Sequence, residues 1–140
     1  MFDLGLKNKV ILITGGSDGL GYASAELLSS EGAKVIICGR RGDYLTEKAK
    51  TISEKTNNEV LAIQADVSKA DDCKKLVEKT ISKFKKIDIL LNNAGASAAA
   101  LFENVTDKNW EDDINLKLMS TVRMCRLVIP YMKSNNKGVI

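Results

Sequence analysis

The stretch Thr14-Gly15-Gly16-Ser17-Asp18-Gly19-Leu20-Gly21 lies between an apolar run, Val10–Ile13, and an amphipathic segment at 19–31. Four consecutive apolar residues, most of them β-branched, predict a buried strand. A helix is predicted by the apolar residues that repeat at helical spacing after the loop, Leu20, Ala23, Leu27 and Leu28. A glycine-rich loop between a buried strand and a helix is the setting of a dinucleotide-binding loop, in which the helix N-terminus faces the phosphates. The sequence therefore predicts a nucleotide site here, and the lack of Gly-Lys-Ser/Thr argues against a P-loop NTPase.

Strands and helices continue to alternate along the rest of the chain. Buried strands are predicted at 10–13, 35–38, 60–65 and 87–91. Helices are predicted at 19–31, at 44–55, after a capping-box variant at Ser68–Asp71, and at 107–132 behind a Thr106 cap. The last three residues, Gly138-Val139-Ile140, have the pattern of a beginning fifth strand. This order predicts an α/β protein whose parallel sheet has helices on both faces, in one domain over residues 1–140.

Composition excludes several classes of function. The 140 residues are 44% hydrophobic and 28% charged, which is typical of a folded protein. The sequence has no histidine, which removes Ser-His-Asp hydrolysis, Cys-His proteolysis and His-ligated zinc, and no metal site is predicted. A net charge of +3 without a basic tail gives no indication of nucleic-acid binding. Three widely spaced cysteines, no signal peptide and no long apolar run predict a cytoplasmic protein without membrane association.

Four motifs, in order along the chain, carry a resemblance to a known family. The glycine loop has the spacing Gly-x-x-x-Gly-x-Gly, Asp66-Val67 follows the third predicted strand, Asn92-Asn93-Ala94-Gly95 follows the fourth, and Asn115 lies on the next helix. Together they resemble the short-chain dehydrogenase/reductase family over residues 6–140. The resemblance implies a Rossmann-type, doubly wound parallel sheet, cut here at the start of its fifth strand. It also implies an NAD(P)-dependent oxidoreductase that acts on a small-molecule carbonyl or alcohol and forms a homo-oligomer, a dimer or a tetramer.

The glycine loop is the predicted site of the cofactor pyrophosphate. Gly15 allows a sharp turn, Gly19 allows close approach of the phosphates, and Gly21 allows the helix to pack close to the strand. The loop residues between these glycines, Ser17, Asp18 and Leu20, complete the predicted phosphate site.

The end of the second strand predicts the choice of cofactor. Gly39 occupies the position where an acidic residue would bind the ribose hydroxyl of NAD, and Arg40 and Arg41 follow it. Guanidinium groups can form charge-assisted hydrogen bonds to the 2′-phosphate of NADP, so NADP is the predicted cofactor. Asp18 opposes this prediction because its carboxylate would repel the phosphate, and NAD stays open as the alternative.

The resemblance assigns roles to the remaining motifs. Asp66 would accept a hydrogen bond from the adenine amino group, with Val67 packing nearby. The backbone of Asn92, Asn93, Ala94 and Gly95 would line the cofactor cleft, while the amide side chains tie this loop to the neighbouring strand. Asn115 would kink its helix and hold a water in a proton relay, and it is the one catalytic residue predicted.

The serine and the Tyr-x-x-x-Lys of the family's reaction site are not found at the expected place. Tyr44 and Lys48 have the right spacing, but they follow the second strand and belong to the adenosine side. We therefore expect the chain to be about the first half of a family member and to be inactive alone. A dinucleotide-binding half-protein without catalysis is one alternative, and an NAD-dependent epimerase or dehydratase is another. The substrate stays open, with a 3-oxoacyl thioester, a sugar and other secondary alcohols fitting equally.

Overall fold

The computed structural model describes residues 4–140. Its strands in this range are β1 (Val10–Thr14), β2 (Lys34–Gly39), β3 (Val60–Gln64) and β4 (Ile89–Leu91). Its helices are α1 (Gly19–Ser30), α2 (Gly42–Thr56), α3 (Ala70–Phe84), α4 (Asp107–Ile114) and α5 (Ser120–Ser134), with a 3-10 turn at Phe102–Asn104 and a π-helical turn at Asn115–Met119. The predicted elements are present with slightly shifted ends, except that the last helix is interrupted.

The strands form one parallel sheet in the order β3-β2-β1-β4. The sheet continues as a single parallel bridge from Ile89 to Val139, whose N–H donates to the Asp88 carbonyl oxygen at 3.1 Å. The predicted parallel sheet is confirmed, and Gly138–Ile140 lie beside β4, where the fifth strand was expected. Because successive strands are added on one side of β1 and then on the other, the chain has a topological switch point between β1 and β4. In open α/β sheets, ligands bind outside the carboxyl ends of the strands at such a point.

Helices cover both faces of the sheet, as predicted. Ile11 and Ile13 of β1 point to one face and belong to a buried cluster that includes residues of α1 and α2. Leu12 of β1 points to the other face and belongs to a second cluster that includes residues of α3 and α5. These three side chains are fully buried. A strand that is buried on both faces has an unbroken apolar sequence, which is why β1 and β2 are recognisable without alternation.

The start of α3 differs from the prediction. Ser68 was expected to cap this helix, but its N-cap residue is Lys69, and no side chain caps it. The Ser68 hydroxyl donates instead to Asp66 Oδ1 at 2.7 Å. The Ser68 hydroxyl thus acts as a donor within the turn before α3, not as the acceptor for a helix N–H that a capping box requires.

The predicted helix at 107–132 is also different in the structure. Its beginning is confirmed, because Thr106 and Asn109 form a reciprocal capping box at the start of α4. The α-helical hydrogen bonding then gives way to the π-helical turn at Asn115–Met119 before α5 begins. Within residues 4–140, no helix is long and apolar enough to cross a membrane.

Candidate cofactor-binding site

The glycine loop after β1 is packed tightly against the loop after β4. Gly15 has a φ of +69°, and a Cβ at this position would lie 2.9 Å from Ala94 Cα. A Cβ on Gly21 would collide with the Gly15 carbonyl oxygen and with Asn93 Nδ2. Both positions therefore require glycine for close packing, and Gly21 brings the start of α1 against the end of β1.

Gly19 has a different environment from the other two glycines of the motif. It begins α1 with a φ of +54°, and among residues 4–140 a Cβ there would meet no atom within 4 Å apart from its chain neighbours and the adjacent helix backbone. Asp18 is the N-cap residue of α1, but its side chain makes no capping hydrogen bond. The first N–H groups of the helix are thus left without a side-chain cap beside an open surface, which is the arrangement that binds phosphate.

Thr14 connects the two loops at the carboxyl edge of the sheet. Its buried Oγ1 accepts hydrogen bonds from the N–H groups of Asn93 and Ala94, each at 3.0 Å. Asn93 Nδ2 donates in return to the carbonyl oxygens of Thr14 and Gly15, at 3.1 and 2.9 Å. The Asn93 side chain ties its loop to β1 in the manner predicted, and Thr14 is a positioning residue that the sequence analysis did not single out.

A cleft of about 620 Å³ opens over these loops. The predicted cofactor-binding residues that line it are Gly15, Ser17, Asp18, Gly19, Leu20, Arg40, Arg41, Asp66, Val67, Asn93, Ala94 and Gly95. Gly21 lies behind the loop, and Asn92 Nδ2 is directed instead to Cys125 Sγ, at 3.6 Å. The structure thus gathers residues from the ends of four strands around one cavity of the size of a small-molecule site.

The cleft also contains residues that the sequence analysis did not assign to it, namely Cys38, Ala65 and Leu116. Cys38 is the penultimate residue of β2, and burial raises the pKa of its thiol to about 12. The thiol therefore stays protonated at neutral pH and is no candidate nucleophile. Gly39, which the sequence analysis placed beside the ribose, lines the cleft, whereas Leu116 is brought in by tertiary packing alone.

Asp66 is held in place by the turn that follows it. Its Oδ1 accepts from the N–H and the hydroxyl of Ser68, and its own N–H donates to Asp72 Oδ2 at 2.9 Å. Burial raises the pKa of Asp66, but the two Ser68 hydrogen bonds and the nearby cations outweigh that effect, so the pKa is lowered. The cleft therefore contains an ionised, oriented carboxylate at the end of β3.

The second negative charge of the cleft belongs to Asp18. Its Oδ2 accepts from Arg41 Nη2 and its Oδ1 from the Tyr44 hydroxyl, both at 2.6 Å. The hydrogen bond from Tyr44 is the largest cause of the lowered pKa of Asp18, and the charge of Arg41 adds to it. The Tyr44–Lys48 pair thus belongs to the cluster at the end of β2, since the Lys48 ammonium lies 5.0 Å from the Tyr44 ring centroid.

Asn115 stands at the start of the π-helical turn, apart from the cleft. Its Oδ1 accepts from Arg123 Nη1 at 2.7 Å, and the same nitrogen donates to the Ser68 carbonyl oxygen at 3.0 Å. Neither the cleft nor a neighbouring cavity of about 780 Å³ is lined by Asn115, although the next residue, Leu116, lines both. The interrupted helix agrees with the predicted kink, and the relay role stays a prediction.

A doubly wound α/β sheet with a glycine loop and a cleft at its carboxyl edge is the arrangement found in dinucleotide-binding proteins. The sequence profile of the family described as short chain dehydrogenase matches residues 9–140, and the chain belongs to that family.

Known proteins resemble the chain over nearly its whole length. The 3-oxoacyl-acyl-carrier-protein reductase FabG of Chlamydia trachomatis is 35% identical over 136 residues, which is 96% of this chain and 55% of the relative. The L-sorbose reductase of Gluconobacter frateurii, solved with NADPH and L-sorbose, superimposes with a TM-score of 0.95 at 34% identity, over 99% of this chain and 53% of that one. The NADH-dependent reductase A1-R′, solved with NAD, gives a TM-score of 0.86 at 28% identity, over 99% of this chain and 60% of that one. The chain spans between 40% and 55% of the length of the curated relatives that it matches.

Proposed function

We propose that the protein is an NAD(P)-dependent oxidoreductase that transfers hydride between NADP(H) and a carbonyl or secondary alcohol. One observation carries this proposal: a single cleft is lined by residues that follow all four strands. These residues are the glycine loop, Arg40–Arg41, Asp66–Val67 and Asn93–Gly95. Membership of the family and its reductase relatives support the reaction class. We place residues 1–140 in one dinucleotide-binding domain.

The residues of the cleft fit a dinucleotide by their chemistry. The uncapped start of α1 and the open surface at Gly19 suit the two negative charges of a pyrophosphate. The oriented Asp66 carboxylate suits an amino-group donor such as that of adenine, with Val67 against the ring. The small residues Ala94 and Gly95 leave room for a ribose, while Asn92 supports their loop from behind through Cys125. The bound cofactor supplies the hydride, and these residues hold it.

The choice between the two cofactors depends on the end of β2. Arg40 and Arg41 both line the cleft beside Gly39, and two cations at this place favour the 2′-phosphate of NADP. NAD is the alternative, because Asp18 lines the same end of the cleft. A known structure of the same fold contains NADPH, and another contains NAD, so the fold admits either.

In the proposed proton transfer, Asn115 positions a water molecule. The proton itself is exchanged by a tyrosine that is paired with a lysine, and this pair is not Tyr44 and Lys48. The Tyr44 hydroxyl is committed to Asp18 at the end of β2, on the side proposed for adenosine. Residues 1–140 alone are therefore proposed to bind NADP(H) without transferring hydride. A 3-oxoacyl thioester or a sugar is the proposed substrate class, in a cytoplasmic homo-oligomer.

Spectrophotometric measurement of NADPH oxidation tests this proposal. The complete protein should oxidise NADPH with a 3-oxoacyl thioester or a sugar ketone, and residues 1–140 alone should not. Asn115→Ala should lower kcat by about 10²-fold or more if proton transfer is assisted through it, with the Kd for NADPH nearly unchanged. NADPH binding without turnover by the complete protein would favour the non-catalytic alternative. Turnover by residues 1–140 would contradict the proposal and would bring Tyr44 and Lys48 back as candidates.

A further inference from the structure

A cluster of three side chains closes one end of the cleft. Asp18, Arg41 and Tyr44, here called the Asp18 cluster, come from the N-cap of α1, the N-cap of α2 and the first turn of α2. Arg41 and Tyr44 each donate a hydrogen bond to Asp18, and the Arg41 guanidinium carbon lies 4.0 Å from the Tyr44 ring centroid. Each side chain of the cluster thus contacts the other two, although Asp18 and Arg41 are separated by 23 positions in sequence.

The two arginines at the end of β2 are not equivalent. Arg41 has a carboxylate counter-ion at 2.6 Å and an aromatic ring beneath its guanidinium plane. Among residues 4–140, no ion pair involves Arg40, which lines the same cleft. Arg41 therefore has a carboxylate partner at hydrogen-bond distance, in a pair whose two side chains are both more than half exposed. Arg40 interacts with a carboxylate, that of Asp66, only at longer range.

The position of Asp18 has opposite consequences for the two cofactors. A 2′-phosphate that approaches Arg41 meets a carboxylate on the same guanidinium, and the two anions repel each other. A ribose 2′-hydroxyl instead is a donor, and a carboxylate is the acceptor that ordinarily binds it in dinucleotide sites. Asp18 lines the cleft beside Gly39, where an acidic residue is missing from the strand itself.

We infer that Asp18 determines cofactor specificity by withholding Arg41 from the 2′-phosphate. The proposal rests on the proposed function, because it requires that the cleft bind NAD(P). Arg40 then carries the preference for NADP, and the Asp18 cluster reduces that preference so that NAD is also accepted. The opposite possibility, in which Asp18 holds Arg41 ready for the phosphate, predicts the reverse effect of every variant below.

Calorimetric titration of the complete protein with NADP⁺ and NAD⁺ tests the inference. Asp18→Asn removes the charge but keeps the size of the side chain, and should raise the ratio of the NAD⁺ Kd to the NADP⁺ Kd by about tenfold. Glu47→Gln, an exposed change on α2 outside the cluster, removes one negative charge as a matched control and should leave the ratio unchanged. An unchanged or lowered ratio in Asp18→Asn would overturn the inference.

A double-mutant cycle distinguishes two reasons why Asp18→Asn could strengthen NADP⁺ binding. The change could release Arg41 to bind the 2′-phosphate, or it could only remove the repulsion between Asp18 and the phosphate. In the wild-type background, Arg41→Ala should weaken NADP⁺ binding by less than about threefold, because Asp18 already occupies the guanidinium. In the Asp18→Asn background, the same change should weaken binding by about tenfold, since Arg41 has become a phosphate ligand. Equal effects in the two backgrounds would overturn the inference. If the wild-type protein binds neither cofactor, the proposed function itself fails. If it binds a cofactor but Asp18 and Arg41 show no coupling in the cycle, only the inference about Asp18 fails.

Discussion

Gly21 is the residue of the loop with the least space around it. A Cβ there would collide with the Gly15 carbonyl oxygen and with Asn93 Nδ2, two atoms that join the loops after β1 and β4. Gly21→Ala should therefore lower the free energy of unfolding by about 1–3 kcal/mol, the usual cost of overpacking. Urea denaturation measures this change. Gly95→Ala is the matched control, because a Cβ at Gly95 meets its nearest atom at 4.0 Å, and it should leave the stability almost unchanged.

Arg40 is the cleft arginine that forms no ion pair among residues 4–140. Arg40→Ala should weaken NADP⁺ binding by about tenfold, equivalent to the loss of one charge-assisted hydrogen bond of about 1.5 kcal/mol. Binding of NAD⁺ should hardly change, since it has no 2′-phosphate. Lys75→Ala, which removes an exposed cation from α3, is the control for net charge. Equal losses for both cofactors would mean that Arg40 does not contact the 2′-phosphate.

Single residues differ in how far the sequence could assign them. The glycine roles were predictable, because a glycine between a buried strand and a helix has few alternative reasons to be there. The sequence also placed Asp18 and Arg41 at the same end of the cleft. It could not show that they pair, since their contact depends on how α2 leaves β2 and on the Tyr44 side chain that supports both.

The junction between β1 and β4 depends on one carboxylate. Asp88 Oδ2 accepts from the Val10 N–H at 2.8 Å and pairs with Lys86 Nζ at 2.9 Å. Burial raises the pKa of Asp88, but the Val10 hydrogen bond and Lys86 together outweigh that effect and lower it. Because the pKa is lower in the folded state, the stabilisation is present above the ordinary value of 3.8 and is lost as the pH falls through the folded-state pKa.

Asp88→Asn should accordingly lower the free energy of unfolding at pH 7 by about 1.5–3 kcal/mol, the range for a hydrogen bond to a charged group. The deficit relative to the wild-type protein should shrink as the pH falls below about 4, where the wild-type carboxylate becomes protonated too. Urea denaturation at pH 7, 5, 4 and 3 follows both curves, with Glu47→Gln as an exposed control. A deficit that stays constant down to pH 3 would argue against the charge of Asp88 as its cause.

The elements that the sequence predicted less well are those decided by competition between local and distant partners. Ser68 has the spacing of a capping box, but its N–H and its hydroxyl both donate to Asp66 Oδ1, and the helix begins one residue later, after Lys69. Asn115 is a poor residue for a helix interior, but the helix was predicted to run from 107 to 132, and only the resemblance implied a kink at Asn115. The π-helical form of that break was not predictable, because Arg123, which holds Asn115 Oδ1, also depends on the Ser68 carbonyl of a distant turn.

At the scale of the whole molecule, the arrangement of the sheet followed from the sequence because both of its faces are buried. A short apolar run such as Val10–Ile13 favours a buried strand over a buried helix because most of its residues are β-branched and a glycine cluster follows it. Right-handed crossovers between parallel strands then leave few possible orders, and β3-β2-β1-β4 is one of them. The depth of the cleft could not be derived in this way, since it depends on Leu116 and on side chains that meet only after folding.

The central claim is that this sheet edge binds a dinucleotide through the start of α1. Gly19 is the position that tests it, because it lines the cleft and, among residues 4–140, a Cβ there meets no atom within 4 Å apart from its chain neighbours and the adjacent helix backbone. Gly19→Val would fill that space with a branched side chain. Gly19→Ala is the control for backbone strain, because it places a smaller side chain on the same left-handed backbone. Calorimetric titration with NADPH should give binding by the wild-type protein, weakened binding by Gly19→Ala and no detectable binding by a folded Gly19→Val. Unchanged NADPH affinity in Gly19→Val would contradict the account.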